Sequence, residues 1–152
     1  MISSLEKKLE AKRGKLKGLY KKFLIYPELL EKFSDLGGFL RFEGEVDTPY
    51  KKYLILSLAH LRKALPVWEN HSKDANLSSY LLTCIQKQQK PDQRPYDLLF
   101  SLLSFFLEKK PLPFVLLQAL EKKFGKKGVY ELLTLLGFYE TLISSSLVLS
   151  LY

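Results

Sequence analysis

Hydrophobic residues recur along this chain at the three- and four-residue spacing of amphipathic helices, and alternating β-type stretches are nearly absent. The first helical segment opens at Ser3, a predicted N-cap, with Glu6 three residues later, and the two form a capping box. Apolar residues then follow one side of the segment as far as Phe23, and Pro27 ends it. We therefore predict one N-terminal helix over residues 1–26.

Prolines, glycines and serines divide the remainder of the chain into further helices. Pro27, Pro49 and Pro95 mark helix starts, because a proline in the first turn removes an N–H that has no partner there. The predicted helices run from 27 to a break at Gly37-Gly38, then over 48–64, 67–76, 80–88, 95–106, 114–124 and 129–152. With no internal repeat, the chain is predicted to be all-α with about seven or eight helices. The helical domain of residues 27–152 and the N-terminal helix should form one compact domain.

Positive charge is concentrated at the beginning of the chain. The net charge is +8 at pH 7, and residues 1–26 contain eight lysines and arginines against two glutamates. Such a segment could contact nucleic acid, an acidic partner or a membrane surface. Because no aromatic stacking platform accompanies the charge, we interpret it as a solvated helix face with weak, non-specific affinity for polyanions.

Two apolar runs raise the question of a membrane span. Residues 98–107 are too few, since a bilayer requires about 20 residues. Residues 129–152 are long enough but include Glu131 and Glu140, and a carboxylate at mid-bilayer costs about 2.5–3.5 kcal/mol. We predict a buried or subunit-contacting helix there and no membrane partner. The first residues lack the apolar stretch of a secretory signal, so a cytoplasmic location is expected.

Two segments carry a resemblance to a known family. Pro49–Ala75 reads PYKKYLILSLAHLRKALPVWENHSKDA and contains Trp-x-x-His at Trp68 and His71, while Val129–Leu142 reads VYELLTLLGFYETL and contains Gly-Phe-Tyr. Over most of residues 30–145 the chain resembles the carboxymuconolactone decarboxylase family, relatives of the alkylhydroperoxidase D-like proteins. The resemblance implies an alkylhydroperoxidase D-like helical fold and a homo-oligomer, a trimer or hexamer. The very apolar last two helices, with few charges to cover them, favour self-association as well.

The chain departs from the redox members of that family. Their two cysteines fall on Ala64 and Val67 here, and the single cysteine of the chain is Cys84. A thiol hydroperoxidase needs a low-pKa thiolate and a resolving thiol within reach. We therefore predict no hydroperoxidase activity and interpret Cys84 as a small buried hydrophobic residue.

The resemblance makes His71 the candidate catalytic residue of a decarboxylase-type lyase. A histidine whose pKa lies near ambient pH can deliver a proton to the carbanion that remains when carbon dioxide departs. Trp68 is expected to pack between helices and to border the His71 cavity. Arg41, Lys52 and Arg62 are candidates to bind substrate carboxylates, although none matches a family motif. No cofactor is predicted, and two histidines eleven residues apart without a carboxylate one turn away predict no metal site.

Two of these positions allow opposite interpretations. The family glutamate that opens the aliphatic helix falls on Lys52, and the glutamate of Tyr-Glu-Trp falls on Val67. In the first turn of its helix, Lys52 is predicted to be solvated. If Lys52 instead faces the pocket, a base replaces an acid and the family's proton relay cannot operate. His71 is either catalytic or a hydrogen-bonded core residue. Glu69 is a doubtful partner to orient the His71 ring, because residues so close in sequence on a helix do not face each other.

Two classes of function therefore stay open. The first is an acid/base enzyme of decarboxylase type that acts on a small carboxylated molecule. The second is a catalytically lapsed oligomer that binds or scaffolds, with an anionic partner on its basic first helix. The loss of both family acids favours the second class, and the retention of Trp68 and His71 favours the first.

Overall fold

The computed structural model describes residues 3–152, and within this range it contains helices and no β-strand. The prediction of an all-α fold is confirmed. The helices are α1 Ser4–Arg13, α2 Gly18–Lys22, a 3₁₀ turn Phe23–Ile25, α3 Pro27–Phe42, α4 Thr48–Leu61, α5 Leu65–Ser72, α6 Ser79–Gln86, α7 Tyr96–Glu108 and α8 Phe114–Val148. Helices α4, α5, α6 and α7 lie where the sequence placed them, with small shifts at their ends.

Helix α4 forms the centre of the fold and contacts α5, α6, α7 and α8. Every residue from Lys51 to Ala59 is buried, because residues 53–59 are apolar on all sides apart from Ser57, and a helix of that kind is stable inside a core. The burial extends to Lys51, Lys52 and Ser57. These polar side chains must therefore find hydrogen-bond partners within the protein.

The N-terminal segment is not the continuous helix that the sequence predicted. Ser3 caps α1 as expected, since its hydroxyl accepts a hydrogen bond from the backbone N–H of Glu6 at 3.1 Å. The helix ends at Gly14, where φ is +78°, and a new helix begins at Gly18, where φ is +54°. Glycine adopts these left-handed conformations without steric cost, so the chain folds back here. A small apolar cluster joins the folded-back segment to α3, with Leu9, Leu16 and Leu30 buried at its centre.

The Gly37-Gly38 pair lies inside α3 and does not break it, which corrects a second prediction. A Cβ atom on Gly37 would lie 2.6 Å from Cζ of Phe138 on α8. The missing side chain thus lets α3 approach α8 closely. One turn earlier, Phe33 stacks on Phe138 with the ring centroids 4.4 Å apart. Glycine serves close helix packing at this position.

Helix α8 unites the last two predicted helices across a kink at Gly125, where φ is +72°. It is the one helix within the described residues that is long and apolar enough to cross a membrane, a test that the core helix of a globular protein also passes. Leu132, Leu135 and Ile143 of this helix are fully buried in the main core. In this fold α8 therefore packs its apolar side on α4 and α7.

Candidate functional site

Four polar side chains form a hydrogen-bonded series from the surface to the interior, which we call the relay. Lys52 Nζ donates to Asp74 Oδ1 at 2.9 Å and lies 3.0 Å from Nδ1 of His71. Nε2 of His71 lies 3.3 Å from the hydroxyl oxygen of Tyr139. The Asp74 side chain is 71% exposed, whereas the other three residues are buried. The relay therefore connects solvent with the interior through α4, α5 and α8.

Lys52 determines which nitrogen of His71 carries the proton. An ammonium group has no acceptor, so Lys52 must donate to Nδ1, and the imidazole proton then resides on Nε2. The Nε2–H group can donate only to the hydroxyl oxygen of Tyr139. The hydroxyl hydrogen of Tyr139 is thereby available to donate to a further group.

Burial decides the charge states inside the relay. Removal from water lowers the pKa of His71 to about 3, and the charges of Lys52 and Arg41 act in the same direction. Asp74 has a smaller opposite effect. The imidazole is therefore neutral at ambient pH, which corrects the expectation that its pKa lies near ambient pH. Burial also raises the pKa of Tyr139, so its phenol keeps its proton.

His71 and Tyr139 line a cavity of about 500 Å³ between the folded-back N-terminal segment and helices α3, α5 and α8. We call it the basic cavity, because its wall contains four cationic side chains and no carboxylate: Arg13, Lys15, Lys17 and Arg41. The apolar part of the wall consists of Leu16, Val67, Phe138 and Leu142. A pocket of this size that combines apolar walls with convergent cations favours a small anionic ligand.

Arg13 is held firmly at the edge of the basic cavity. Its guanidinium lies over the ring of Tyr20, 5.1 Å from the centroid, and donates to the Tyr20 hydroxyl at 3.3 Å. It also donates to the backbone carbonyl of Ser34. These contacts fix the planar group beside the space where a ligand would lie, which lowers the entropic cost of binding.

Three of the five candidate residues from the sequence come together at this site. His71 and Arg41 line the basic cavity, and Lys52 is bonded to His71. Lys52 is 6% exposed, so the prediction that it is solvated is wrong and the alternative that it faces inward holds. The sequence analysis missed Tyr139, although it stands in the Gly-Phe-Tyr motif, and it placed Arg13 on a solvated face.

The other two candidates lie elsewhere. Trp68 does not border the basic cavity; it lines a separate one beside His60, with the ring centroids 5.9 Å apart. Arg62 donates two hydrogen bonds to Glu140, at 2.9 and 3.0 Å, on the protein surface. Neither residue is part of the wall of the basic cavity.

Lys51, the neighbour of Lys52, belongs to a different buried pair. Its ammonium lies 2.6 Å from the carboxylate of Glu131 on α8. Glu131 also accepts a hydrogen bond from the backbone N–H of Glu45 at 2.7 Å, and another from that of Val46. These bonds attach the loop between α3 and α4 to α8. Glu131 is thus satisfied within the fold and holds the start of α4 in place.

The chemistry of the other candidate groups is limited. Cys84 is buried, as the sequence predicted. Across residues 3–152, histidine, cysteine, aspartate and glutamate side chains form no group of three that could hold a metal ion. The cationic wall of the basic cavity suits an anionic ligand.

No family model matches this chain, and comparisons with curated proteins and with solved structures likewise give no match. The resemblance to the carboxymuconolactone decarboxylase family therefore stays a prediction from short motifs. The function has to be argued from the relay and the basic cavity.

Proposed function

We propose that this protein is an acid/base lyase of decarboxylase type that acts on a small carboxylated molecule in the basic cavity. One observation carries the proposal. The relay ends at the hydroxyl of Tyr139. Tyr139 lines the basic cavity, and every charged side chain in the wall of that cavity is a cation. A proton donor therefore stands where a substrate carboxylate would be bound.

The cations supply substrate binding. Arg13 and Arg41 have planar guanidinium groups that bind a carboxylate with two parallel hydrogen bonds. Lys15 and Lys17 add positive charge at the wall formed by the folded-back segment. Loss of carbon dioxide leaves an electron pair on the substrate, and preorganised positive groups stabilise the enolate-like anion that forms.

The relay supplies the proton that this anion needs. Tyr139 donates its hydroxyl proton to the substrate, and the Nε2–H of His71 returns a proton to the phenolate. Nδ1 of His71 takes a proton from Lys52, which regains one from water beside exposed Asp74. After the product leaves, proton exchange with water returns His71 to the tautomer with its proton on Nε2. A neutral imidazole with one donor and one acceptor nitrogen is suited to this transfer. Lys52 rules out the acid-based relay that the resemblance implies, and this relay would take its place.

The same proposal covers the fold family and the assembly. The two motif segments that carry the resemblance meet in the relay, because His71 of Trp-x-x-His bonds to Tyr139 of Gly-Phe-Tyr. This contact supports an alkylhydroperoxidase D-like arrangement of α4, α5 and α8. A trimeric or hexameric assembly belongs to the proposal through the resemblance alone.

Substitution of Tyr139 by phenylalanine tests the proposal. Carbon dioxide release is measured with a panel of small di- and tricarboxylic acids that bear a carbonyl or a double bond next to a carboxylate. Tyr139→Phe should lower the rate by about 10²–10⁴-fold, because it removes only the proton donor. Tyr130→Phe on the same helix, where the side chain is 71% exposed, is the matched control and should leave the rate unchanged. Full activity of Tyr139→Phe would refute the proposed relay.

A second function is favoured by the neutral state of His71. The pKa of His71 is lowered to about 3, and the wall of the basic cavity contains no carboxylic acid. The site therefore lacks a conventional strong acid. A lapsed enzyme that binds an anion in the basic cavity fits the same geometry. Calorimetry with citrate separates the two: binding that Arg41→Gln weakens, together with no carbon dioxide release from any acid in the panel, would establish the binding protein.

A further inference from the structure

The folded-back N-terminal segment exposes apolar side chains among lysines. Ile25 is 92% exposed and Tyr26 is 57% exposed at the turn that leads into α3. Lys21 and Lys22, also exposed, precede Ile25 by four and three residues, a spacing that puts them on the same side of a helical segment. We call these four residues the N-terminal tip.

The tip is held in this position by packing on its opposite side. Leu19 is 2% exposed, and Phe23 packs edge-on against Phe33 of α3 with the ring centroids 5.4 Å apart. The backbone N–H of Tyr26 donates to the carbonyl of Phe23 at 2.8 Å. Because Leu19 and Phe23 occupy the inward side, Ile25 has to point into water. An isoleucine fixed in this way is a candidate interaction site.

The apolar surface continues beyond the tip along α3. Leu29, Leu36 and Phe39 are exposed at helical spacing on one side of α3, and Phe42 is exposed at the end of the helix. Phe42 is 71% exposed. A single exposed apolar side chain is common on protein surfaces. A row of such side chains that begins at the tip and follows α3 indicates an interaction site.

We propose that the N-terminal tip docks on the surface of an anionic lipid bilayer. Lys21 and Lys22 are exposed and give the tip two positive charges with no acidic residue among its four members, so the tip is complementary to negative headgroups. Ile25 can enter the boundary between headgroups and acyl chains, and Tyr26 has the amphipathic ring that prefers this boundary. The sequence predicted no membrane partner, because neither of its apolar runs suits a membrane span. The exposure of Ile25 becomes evident only in the folded chain.

The composition of the tip disfavours two other partners. Pairing of two tips in a symmetric dimer would place like charges opposite each other and would oppose association. Nucleic acid would use the lysines but would gain nothing from Ile25, since contacts to phosphates are polar. A bilayer is the partner that can contact both the lysines and the apolar side chains of the tip.

Co-sedimentation of the full chain with lipid vesicles tests the proposal. The chain should bind vesicles of phosphatidylcholine that contain phosphatidylglycerol, should fail to bind pure phosphatidylcholine, and should dissociate as salt increases. The double variant Lys21→Gln/Lys22→Gln should bind about twenty-five-fold more weakly, since each lysine near an anionic surface contributes about a fivefold factor. Ile25→Asp should weaken binding at least as much, because it removes the inserted side chain and adds a negative charge.

Val148→Asp is the matched control. Val148 is 83% exposed, and residues 128–152 contain no lysine or arginine, so this variant should bind vesicles like the parent chain. Equal loss in Val148→Asp and Ile25→Asp would overturn the proposal, as would vesicle binding that Ile25→Asp leaves intact. Light scattering measures the mass of the assembly in solution and gives a further test. If Ile25→Asp splits a larger assembly into smaller species, the tip is a subunit interface and the proposal is wrong.

Discussion

The imidazole of His71 is neutral because it lies out of water beside Lys52 and near Arg41. The same burial links this one residue to the stability of the protein. In the unfolded chain a histidine has a pKa of about 6.5, so the unfolded state binds a proton below this pH while folded His71 does not. A folded pKa below the unfolded one means that stability is present above about pH 6.5 and declines as the pH falls toward 3.

We therefore expect the free energy of unfolding to fall by up to about 1.4 kcal/mol per pH unit between about pH 6 and pH 4.5. Urea unfolding at several pH values measures this slope. His71→Gln should flatten it, and should cost about 1–3 kcal/mol at pH 7 because buried partners lose hydrogen bonds. His60→Gln is the control and should keep the slope. An unchanged slope in His71→Gln would show that other groups cause the acid sensitivity.

Gly44 shows how a missing side chain protects the buried pair of Lys51 and Glu131. A Cβ atom at this position would overlap the carboxylate of Glu131. Gly44→Ala should therefore displace Glu131 and destabilise the protein by about 3–5 kcal/mol, the cost of leaving a buried charge without its partner.

Gly137→Ala is the matched comparison for Gly44→Ala. It lies within α8 with open space around the added atom, and should stabilise the protein by up to about 1 kcal/mol through helix propensity. Thermal unfolding of both variants gives the comparison. Equal and small effects would mean that the loop before α4 moves aside at little cost.

At the scale of elements, the contact of α3 with α8 positions the inner end of the relay. Gly37 allows this contact, and Phe138, against which it packs, is the neighbour of Tyr139 in α8. A change in the spacing of the two helices would therefore move the hydroxyl that lines the basic cavity.

Gly37→Ala should destabilise the protein by about 1–3 kcal/mol through overpacking against the Phe138 ring. Gly38→Ala meets only the end of the Arg13 side chain, at 3.5 Å, and should be neutral or stabilising. Denaturant unfolding distinguishes the pair. We also expect weaker anion binding in Gly37→Ala alone, and equal behaviour of the two variants would contradict the role assigned to close packing.

At the scale of the whole molecule, the fold divides into a main core and a small N-terminal cluster. The main core includes residues of α3 through α8, whereas the cluster joins the folded-back segment to α3 through Leu9, Leu16 and Leu30. The segment contributes three of the four cations of the basic cavity but little of the main core.

Deletion of residues 1–25 should thus leave a helical, cooperatively unfolding domain that has lost most of its affinity for citrate. Circular dichroism on heating tests the fold, and calorimetry tests the affinity. The variant Arg13→Gln in the full chain serves as the comparison and should weaken citrate binding without removing the cluster. A truncated chain that fails to unfold cooperatively would show that the N-terminal segment is an integral part of the core.

Local signals in the sequence were sufficient for helices α4 to α7, but not for the N-terminal segment, α3 or α8. The cap at Ser3 and the prolines at the starts of α3 and α4 were predicted correctly, because each acts through atoms within one helical turn. The central helix was also predicted close to its observed bounds, over residues 48–64 against Thr48–Leu61. The resemblance to a decarboxylase family and its oligomeric state stay predictions, since the three-dimensional structure of one chain does not test them.

Contacts between distant residues could not be obtained in this way. The sequence alone determined the all-α class, most helix positions and the choice of His71 as a candidate. Only the tertiary structure decided that Lys52 turns inward, that Tyr139 completes the relay and that Trp68 lies at another cavity. The physical reason is that helix formation depends on neighbours three or four residues away, whereas burial and charge state depend on which helices pack against each other. A single glycine such as Gly37 can determine how closely two helices pack.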